Sequence, residues 1–340
     1  QIFHCLNHIS INLNIMKNIL IFKTDKLGDL INISPVISNL KNSYPKSEIT
    51  LICSNYNYSV ANLYSNELKI LVYKKPILFF LLSNFKKLIL KKYDLLLQLD
   101  GKNFSYLTSI FIRSKNKSCL KFIKKKNFLG FNYFTKRPNA LYNFFFNHLE
   151  ISYEDYNIEN NSKFHYLSLY LNLLKKLNIK IENKDHYLPF INFKKISKLK
   201  NDYILFHIDK RWEEFSLEII NNLIKKILLI SVKNKIVITS NIGGNKVYQK
   251  LFDNLFNNQS IEFIKSPNIH ETLSLIFYSN TCISNHSGLI VHSAAAFKKN
   301  IIDIVHPDIF NELDRWVPFN INYKRFNINN FVESQFIFKS

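Results

Sequence analysis

The sequence predicts an α/β protein made of two doubly wound parallel sheets, one after the other. Three observations carry this. Short, continuous apolar runs recur along the chain, the pattern of strands buried on both faces; NILIF at 18–22 opens one series and YILFH at 203–207 opens a second. Helical patterns separate the runs in both series. A polar turn containing glycine ends a run in each half, at Gly28 and at Gly288, and sheets of this kind bind ligands at such strand ends.

The strand at 18–22 leads into Lys23-Thr24-Asp25-Lys26-Leu27-Gly28-Asp29, followed by a helix over 30–43 that Tyr44-Pro45 ends. Strands at 48–53 and 69–72 flank a short helix at 58–64. A helix over 77–91 has a basic end, 93–99 is a fourth strand, and 104–112 is another helix. From 114 to 163 the periodicity weakens. Aromatic residues mix with Lys and Asn there, which predicts loops, short strands and surface that touches substrate. Residues 165–177 are amphipathic and end in Lys175-Lys176, a helix; 178–189 then connects the domains.

The second series runs strand 203–207, turn 208–214, helix 216–230 with Ser216 as N-cap, strand 235–239 and turn 240–244. Helix 246–256, strand 261–264 and helix 269–278 follow. The stretch TCISNHSGLIVHSAAAFKKNIIDIVHP, 281–307, contains a strand, the turn Asn285-His286-Ser287-Gly288, a small-residue helix at 289–297 and a strand at 300–305. That is one βαβ unit. The tail from 309 is mixed, and its last part is expected to cross back to the first domain. The domains are drawn as 16–185 and 186–325, with a tail at 326–340. Residues 1–15 precede the only Met, Met16, and are expected to be an extension outside the fold.

A chain of 340 residues with 47% apolar residues can bury two sizeable cores. No apolar run reaches the roughly 18 residues that span a bilayer; the nearest, 77–85, stops at Lys86-Lys87. The N-terminus lacks the basic-then-apolar order of a secretory signal. Cys5, Cys53, Cys119 and Cys282 are far apart, so neither a disulfide framework nor a zinc cluster is expected. A reducing cytoplasm fits. The net charge is +21, which suits an anionic partner. A chain rich in Lys, Asn and Ile from an AT-rich genome reaches the same charge without one. Lys is spread rather than clustered, which speaks against a dedicated nucleic-acid surface. No GxGxxG, Walker, HExxH or GxSxG pattern occurs.

The turn at 285–288 lies at a strand end and a helix start, where free N–H groups and the helix dipole favour an anion. His292 sits one turn into that helix. Gly28 permits a tight strand-to-helix turn, and Asp29 lies at the helix start, where it either caps the helix or faces the cleft. Asp25 is a second acid in the same turn, and Asp100-Gly101 and Asn241–Gly244 are further polar turns at strand ends. Two α/β domains with polar turns at their strand ends place a ligand between them.

Three segments resemble glycosyltransferase family 9, the ADP-heptose:lipopolysaccharide heptosyltransferases. They are ILIFKTDKLGDLINISP at 19–35, the Lys210-Arg211-Trp212 element after the strand at 203–207, and 281–307. They stand in the family's order and cover about residues 16–318. The resemblance implies a GT-B fold, two Rossmann-like domains facing a cleft. It also implies inverting, metal-independent transfer of a heptose-like sugar from an ADP-sugar to a lipopolysaccharide core acceptor, with no cofactor. Asp29 matches the base, and Lys23, Thr24 and Gly28 the turn on the acceptor side. Lys210 or Arg211, with Lys210 preferred, matches the basic diphosphate contact. Ser287, Gly288 and His292 match the pyrophosphate-binding residues. His286 departs from the pattern, because the family has Asp there and a His cannot supply a carboxylate.

The partners implied are a nucleotide-sugar donor, an anionic lipid-linked saccharide and peripheral contact with the inner membrane surface, without nucleic acid. The departure at His286 leaves a second reading, a glycosyltransferase-like binding protein without turnover. A basic nucleic-acid-binding protein is a third.

Overall fold

The computed structural model describes residues 16–123, 125–128, 131–134, 145–153, 165–189, 193 and 202–334. The expected extension at 1–15 lies outside them. The first sheet centres on β1 (Asn18–Phe22), whose parallel neighbours are β2 (Glu48–Cys53) and β4 (Tyr93–Gln98). β3 (Lys69–Val72) lies outside β2, and β5 (Ser114–Ile123) and β8 (His148–Tyr153) extend the other side. A small antiparallel hairpin, β6 (Lys125–Phe128) with β7 (Phe131–Phe134), stands apart.

The second sheet centres on β9 (Tyr203–Ile208), between β10 (Ile236–Ser240) and β12 (Ser279–Ser284). β11 (Ile261–Lys265), β13 (Asn300–Val305) and β14 (Tyr323–Asn327) complete the order β11-β10-β9-β12-β13-β14. Each sheet is parallel throughout and repeats one strand order, counted by position as 3-2-1-4-5-6. That is the doubly wound arrangement, whose ligand crevice opens between the first and fourth strands. In this chain those pairs are β1/β4 and β9/β12, and the turns at Gly28, Asp100-Gly101, 208–214 and 285–288 lie just beyond these four strands, whereas Asn241–Gly244 follows β10.

Both sheets form because their strands are apolar on both faces: Ile19 to Phe22 and Tyr203 to Ile208 are buried without interruption. One apolar cluster runs through both domains, joining Ile19, Ile21 and Leu30 to Leu205, Ile290 and Val291. The domains therefore pack against each other along a largely apolar seam. No described helix is long and apolar enough to cross a membrane.

The structure corrects four expectations. The first helix begins at Leu27, not 30, and breaks at Ile33 into Leu27–Asn32 and Ser34–Ser43. Pro35 lacks an N–H and starts the second piece at its first turn, where Pro is tolerated. The helix expected over 77–91 is Ile77–Ser83 followed, after Asn84, by a π-type turn at Lys86–Leu90. The weakly patterned 114–163 region contains two full strands of the first sheet, β5 and β8. β5 was masked because Lys115, Asn116 and Lys117 face partly outward before Ser118, Cys119 and Leu120 enter the core. Finally, the tail from Tyr323 to Ser334 stays with the second domain: β14 joins its sheet, and Ile328 and Phe331 of the Ile328–Glu333 helix enter its core; the expected crossing of the last residues, 335–340, lies outside the described residues. The chain touches the first domain earlier, where the Trp316 ring lies tilted 5.0 Å from Tyr166 and Phe319 stacks 4.4 Å from His165.

Candidate functional site

The turn after β1 is built from buried polar groups. Lys23 is 1% exposed. Its Nζ donates to Asp25 Oδ2 at 2.8 Å, to the Tyr170 hydroxyl at 2.8 Å and to the Leu99 carbonyl at 3.0 Å. Burial works against its charge, but Asp25 and the nearby Asp29 outweigh it, so the ammonium pKa lies well above the usual range. Thr24 donates its N–H (3.3 Å) and its hydroxyl (2.6 Å) to Asp100, which Ser105 also binds. Lys23 and Thr24 thus spend their side chains holding the turn together across β1 and β4.

Two carboxylates remain at its edge. Asp25 has one oxygen on Lys23 and the other, Oδ1, buried without a partner. Burial pushes its carboxyl up to about 7, Lys23 opposing and Asp100 and Asp29 adding to the rise. Asp29 is partly exposed in the first turn of the Leu27 helix. Its Oδ2 accepts the Lys26 N–H at 3.3 Å, a long capping bond that leaves Oδ1 without a described partner.

The donor-side turns are organised by a different set of bonds. Asp209 accepts the Arg211 N–H at 3.0 Å and pairs with its guanidinium. Arg211 then donates through Nη1 to the His286 carbonyl at 2.6 Å. Lys210 is exposed, packed only at its base, where a Cβ on Gly243 would come within 2.8 Å of its own Cβ. The two neighbouring basic residues therefore differ: Arg211 is pinned across the β9/β12 switch point, and Lys210 is exposed to solvent. Trp212 is a core residue whose ring lies tilted against Phe206 and edge-on to Phe215.

His286 has a left-handed backbone, φ 46°. Asp303, one strand over, holds this conformation. Its Oδ1 accepts the His286 N–H at 2.6 Å, and its Oδ2 accepts from the His286 ring through Nδ1 and from the Tyr323 hydroxyl at 2.7 Å. Burial alone would raise the Asp303 carboxyl, but the His286 ring and these hydrogen bonds hold it below the usual range. With Nδ1 committed, Nε2 is the ring atom that remains. Ser287 is the N-cap of the Gly288–Ala296 helix, yet its hydroxyl makes no capping bond, so the hydroxyl and the first N–H groups are unspent.

His292 is buried in that helix, 1% exposed, with Nδ1 lacking a partner. Its ring lies 5.0 Å from His186, nearly parallel, and His186 Nε2 meets Asn32 Oδ1 at 3.0 Å. Burial drives the His292 pKa well below its usual value, and His186 and His286 add to it; the ring is neutral.

The two glycine turns meet. A Cβ on Gly28 would fall on the backbone of Gly288, whereas a Cβ on Gly288 would sit 3.6 Å from the Gly28 Cα. The Asp29 helix start and the Ser287 helix start are thus back to back at the seam, with Arg211 and His286 beside them.

Sequence reasoning missed Asp303, Tyr323, His186 and Asn32. Asp303 had a visible signal, a lone acid in the apolar run NIIDIV, because a buried carboxylate requires partners. His186 lay in a segment read as a connection and gave none.

No family model matches the chain, and no curated protein matches it in sequence. Solved structures do. The chain is similar to a glycosyl transferase family 9 protein from Veillonella parvula at 13% identity and TM-score 0.69, covering 92% of this chain and 87% of that one. It is similar to E. coli heptosyltransferase WaaC, solved with ADP, at 14% identity and TM-score 0.65, covering 92% and 95%. E. coli ADP-heptose lps heptosyltransferase II gives 14%, 0.62, 92% and 90%. A UDP-GlcNAc 2-epimerase from Methanocaldococcus jannaschii superposes less closely, at 14% and TM-score 0.51 over 93% and 89%. The chain has the GT-B fold, two Rossmann-like domains face to face, that these glycosyltransferase structures have.

Proposed function

We propose that the chain is an inverting glycosyltransferase that moves a heptose-like sugar from an ADP-sugar to a lipid-linked saccharide of the lipopolysaccharide core type. One observation carries the reading: the Gly28-Asp29 and Ser287-Gly288 helix starts meet at the seam, each beside the switch point of its own sheet. Similarity to structures described with ADP and with ADP-2-deoxy-2-fluoro heptose supports the donor class.

In this reading the donor diphosphate lies at the start of the Gly288–Ala296 helix. The Ser287 hydroxyl, the Gly288 N–H and the His292 ring donate to it, and Lys210 and Arg211 supply positive charge. The acceptor hydroxyl loses its proton to Asp29 as its oxygen attacks the anomeric carbon on the face opposite the diphosphate. The carbon–oxygen bond to the diphosphate breaks, and its electrons leave with ADP, where fixed donors and cations stabilise the new charge. The reaction as proposed uses no metal. Asp303 positions the His286 ring, so that Nε2 rather than Nδ1 is offered to the donor.

The test is transfer from ADP-heptose to a core acceptor by the wild type and by Asp29→Ala, with ADP binding followed by calorimetry. Loss of a general base predicts a fall in kcat of about 10²–10⁴ with ADP affinity within about twofold. Equal donor consumption by both proteins sinks the assignment of Asp29.

The commitment of the His286 ring to Asp303 favours a second reading, a donor-binding protein without turnover. ADP-sugar binding with no transfer or hydrolysis by the wild type would establish it.

A further inference from the structure

We propose that the surface formed by residues 74–92 and the adjoining helix is a docking face for an anionic lipid bilayer. The proposal deepens the lipid-linked acceptor reading, on which it rests only for its orientation.

The helix Ile77–Ser83 is apolar on all sides up to Ser83, and the turn after it mixes Lys86 and Lys87 with apolar residues. Phe80, Leu81 and Leu88 face inward, in one cluster with Leu20, Phe22 and Leu96 of the sheet. Leu78, Phe79, Leu82, Phe85 and Leu90 face outward; the first three are 67%, 57% and 60% exposed. A surface helix normally turns a polar face to water, and one that is apolar all round belongs in a core or in lipid. The Asn103–Phe111 helix packs alongside and adds Leu107 and Phe111, which are also exposed and one turn apart.

The charge around this face identifies its occupant. Residues 68–93 contain seven Lys and no Asp or Glu. Lys74, Lys75, Lys86, Lys87 and Lys92 are exposed, and none has a carboxylate partner among the described residues. A second copy seated here would set these ammonium groups against each other. An anionic bilayer complements them, the aromatic and leucine side chains entering the acyl boundary and the Lys meeting headgroups.

Position agrees with this. Lys74, Lys75 and the start of the Asn103–Phe111 helix lie just beyond the carboxyl ends of β3 and β4, on the same rim as Asp25, Asp29 and Asp100. From that rim the face runs along the helix to Lys86, Lys87 and Lys92, just before β4 begins at the other edge of the sheet, so its Lys74–Phe79 end is the part beside the acceptor half of the site. Another exposed apolar group among the described residues, Leu228, Leu229 and Val232 with Lys225, ends the Leu217–Ser231 helix just before β10 begins. It is at the opposite edge of its sheet, away from the site.

The experiment is co-sedimentation of the full chain with vesicles of phosphatidylcholine alone or of phosphatidylcholine with phosphatidylglycerol. Wild type is expected to bind the anionic vesicles, less so at high salt. Leu78→Ser with Phe79→Ser and Leu82→Ser should weaken binding at least about tenfold, and Lys86→Glu with Lys87→Glu should do the same. Leu229→Ser with Val232→Ser should leave binding unchanged. All these side chains are exposed, so unaltered melting temperatures exclude misfolding as the cause. If the triple serine variant binds like wild type, or wild type ignores anionic vesicles, the proposal is overturned. If sedimentation velocity finds a dimer that the triple variant dissolves, the face belongs to a second copy and the proposal is likewise overturned. The vesicles hold neither donor nor acceptor, so the result is independent of whether transfer is found.

Discussion

His286 stands where the family pattern has an acid, and the acid lies 17 residues later, at Asp303, bonded to it. Asp303 supplies a carboxylate from the next strand, and the turn itself carries an imidazole. This makes the pair a unit. His286→Asp would set two carboxylates against each other inside a site where Asp303 is fully buried. Like charges at such distance disfavour ionisation of both. His286→Asp is expected to cost about 2 kcal/mol or more, because it removes the hydrogen bonds that satisfy a buried carboxylate and adds a second one beside it. Adding Asp303→Asn should recover at least half of the loss, a coupling that a double-mutant cycle in chemical denaturation measures. Additive losses would show that the two side chains act separately. At this scale the sequence was informative about which turns matter and silent about what each atom does. Lys23 and Thr24 are in the predicted turn, but their side chains are consumed within it. Arg211 and Lys210 look equivalent until Asp209 and the His286 carbonyl distinguish them.

At the scale of elements, the two glycines are not interchangeable. A Cβ on Gly28 meets the main chain of Gly288, which has no flexible end to yield, while a Cβ on Gly288 makes ordinary contact. Gly28→Ala is therefore expected to destabilise by about 1–3 kcal/mol, the range of overpacking, and Gly288→Ala by less than about 1 kcal/mol. Gly288→Ala should instead weaken ADP affinity, because the methyl group crowds the N–H groups of the helix start. Thermal unfolding and calorimetry on the two variants check the asymmetry; equal destabilisation would count against the closed seam. The strands of both sheets that are apolar on both faces were legible in order, since nothing but burial explains runs such as NILIF and YILFH. β5 was not, because Lys115 to Lys117 interrupt it. The break at Ile33 was foreshadowed by Pro35, whose effect on the preceding residues is local and readable.

Across the whole molecule, closure of the two domains is the feature that no periodicity announces. Nothing in the run 178–189 says that His186 will stack on His292, 106 positions of chain away in numbering, because pattern reading pairs residues within elements and not across a seam. Yet this pairing sets how the molecule responds to acid. Burial drives the His186 pKa down to about 3, with the neighbouring His165 adding to it, against about 6.5 in an unfolded chain. The folded state thus binds fewer protons than the unfolded one between those values. The resulting stability is complete above about pH 6.5 and is lost as the pH falls toward 3. His186 alone predicts a loss of about 2 kcal/mol by pH 5, and His292, also held neutral, adds to the slope. His186→Gln can keep a hydrogen bond to Asn32 and carries no titrating ring. It is expected to be less stable than wild type at pH 8 and to lose less on acidification. Urea denaturation of both proteins between pH 8 and 5 measures the two slopes. Parallel slopes would mean that the acid response arises elsewhere, whereas a flatter slope for His186→Gln assigns it to the histidine stack that closes the domains.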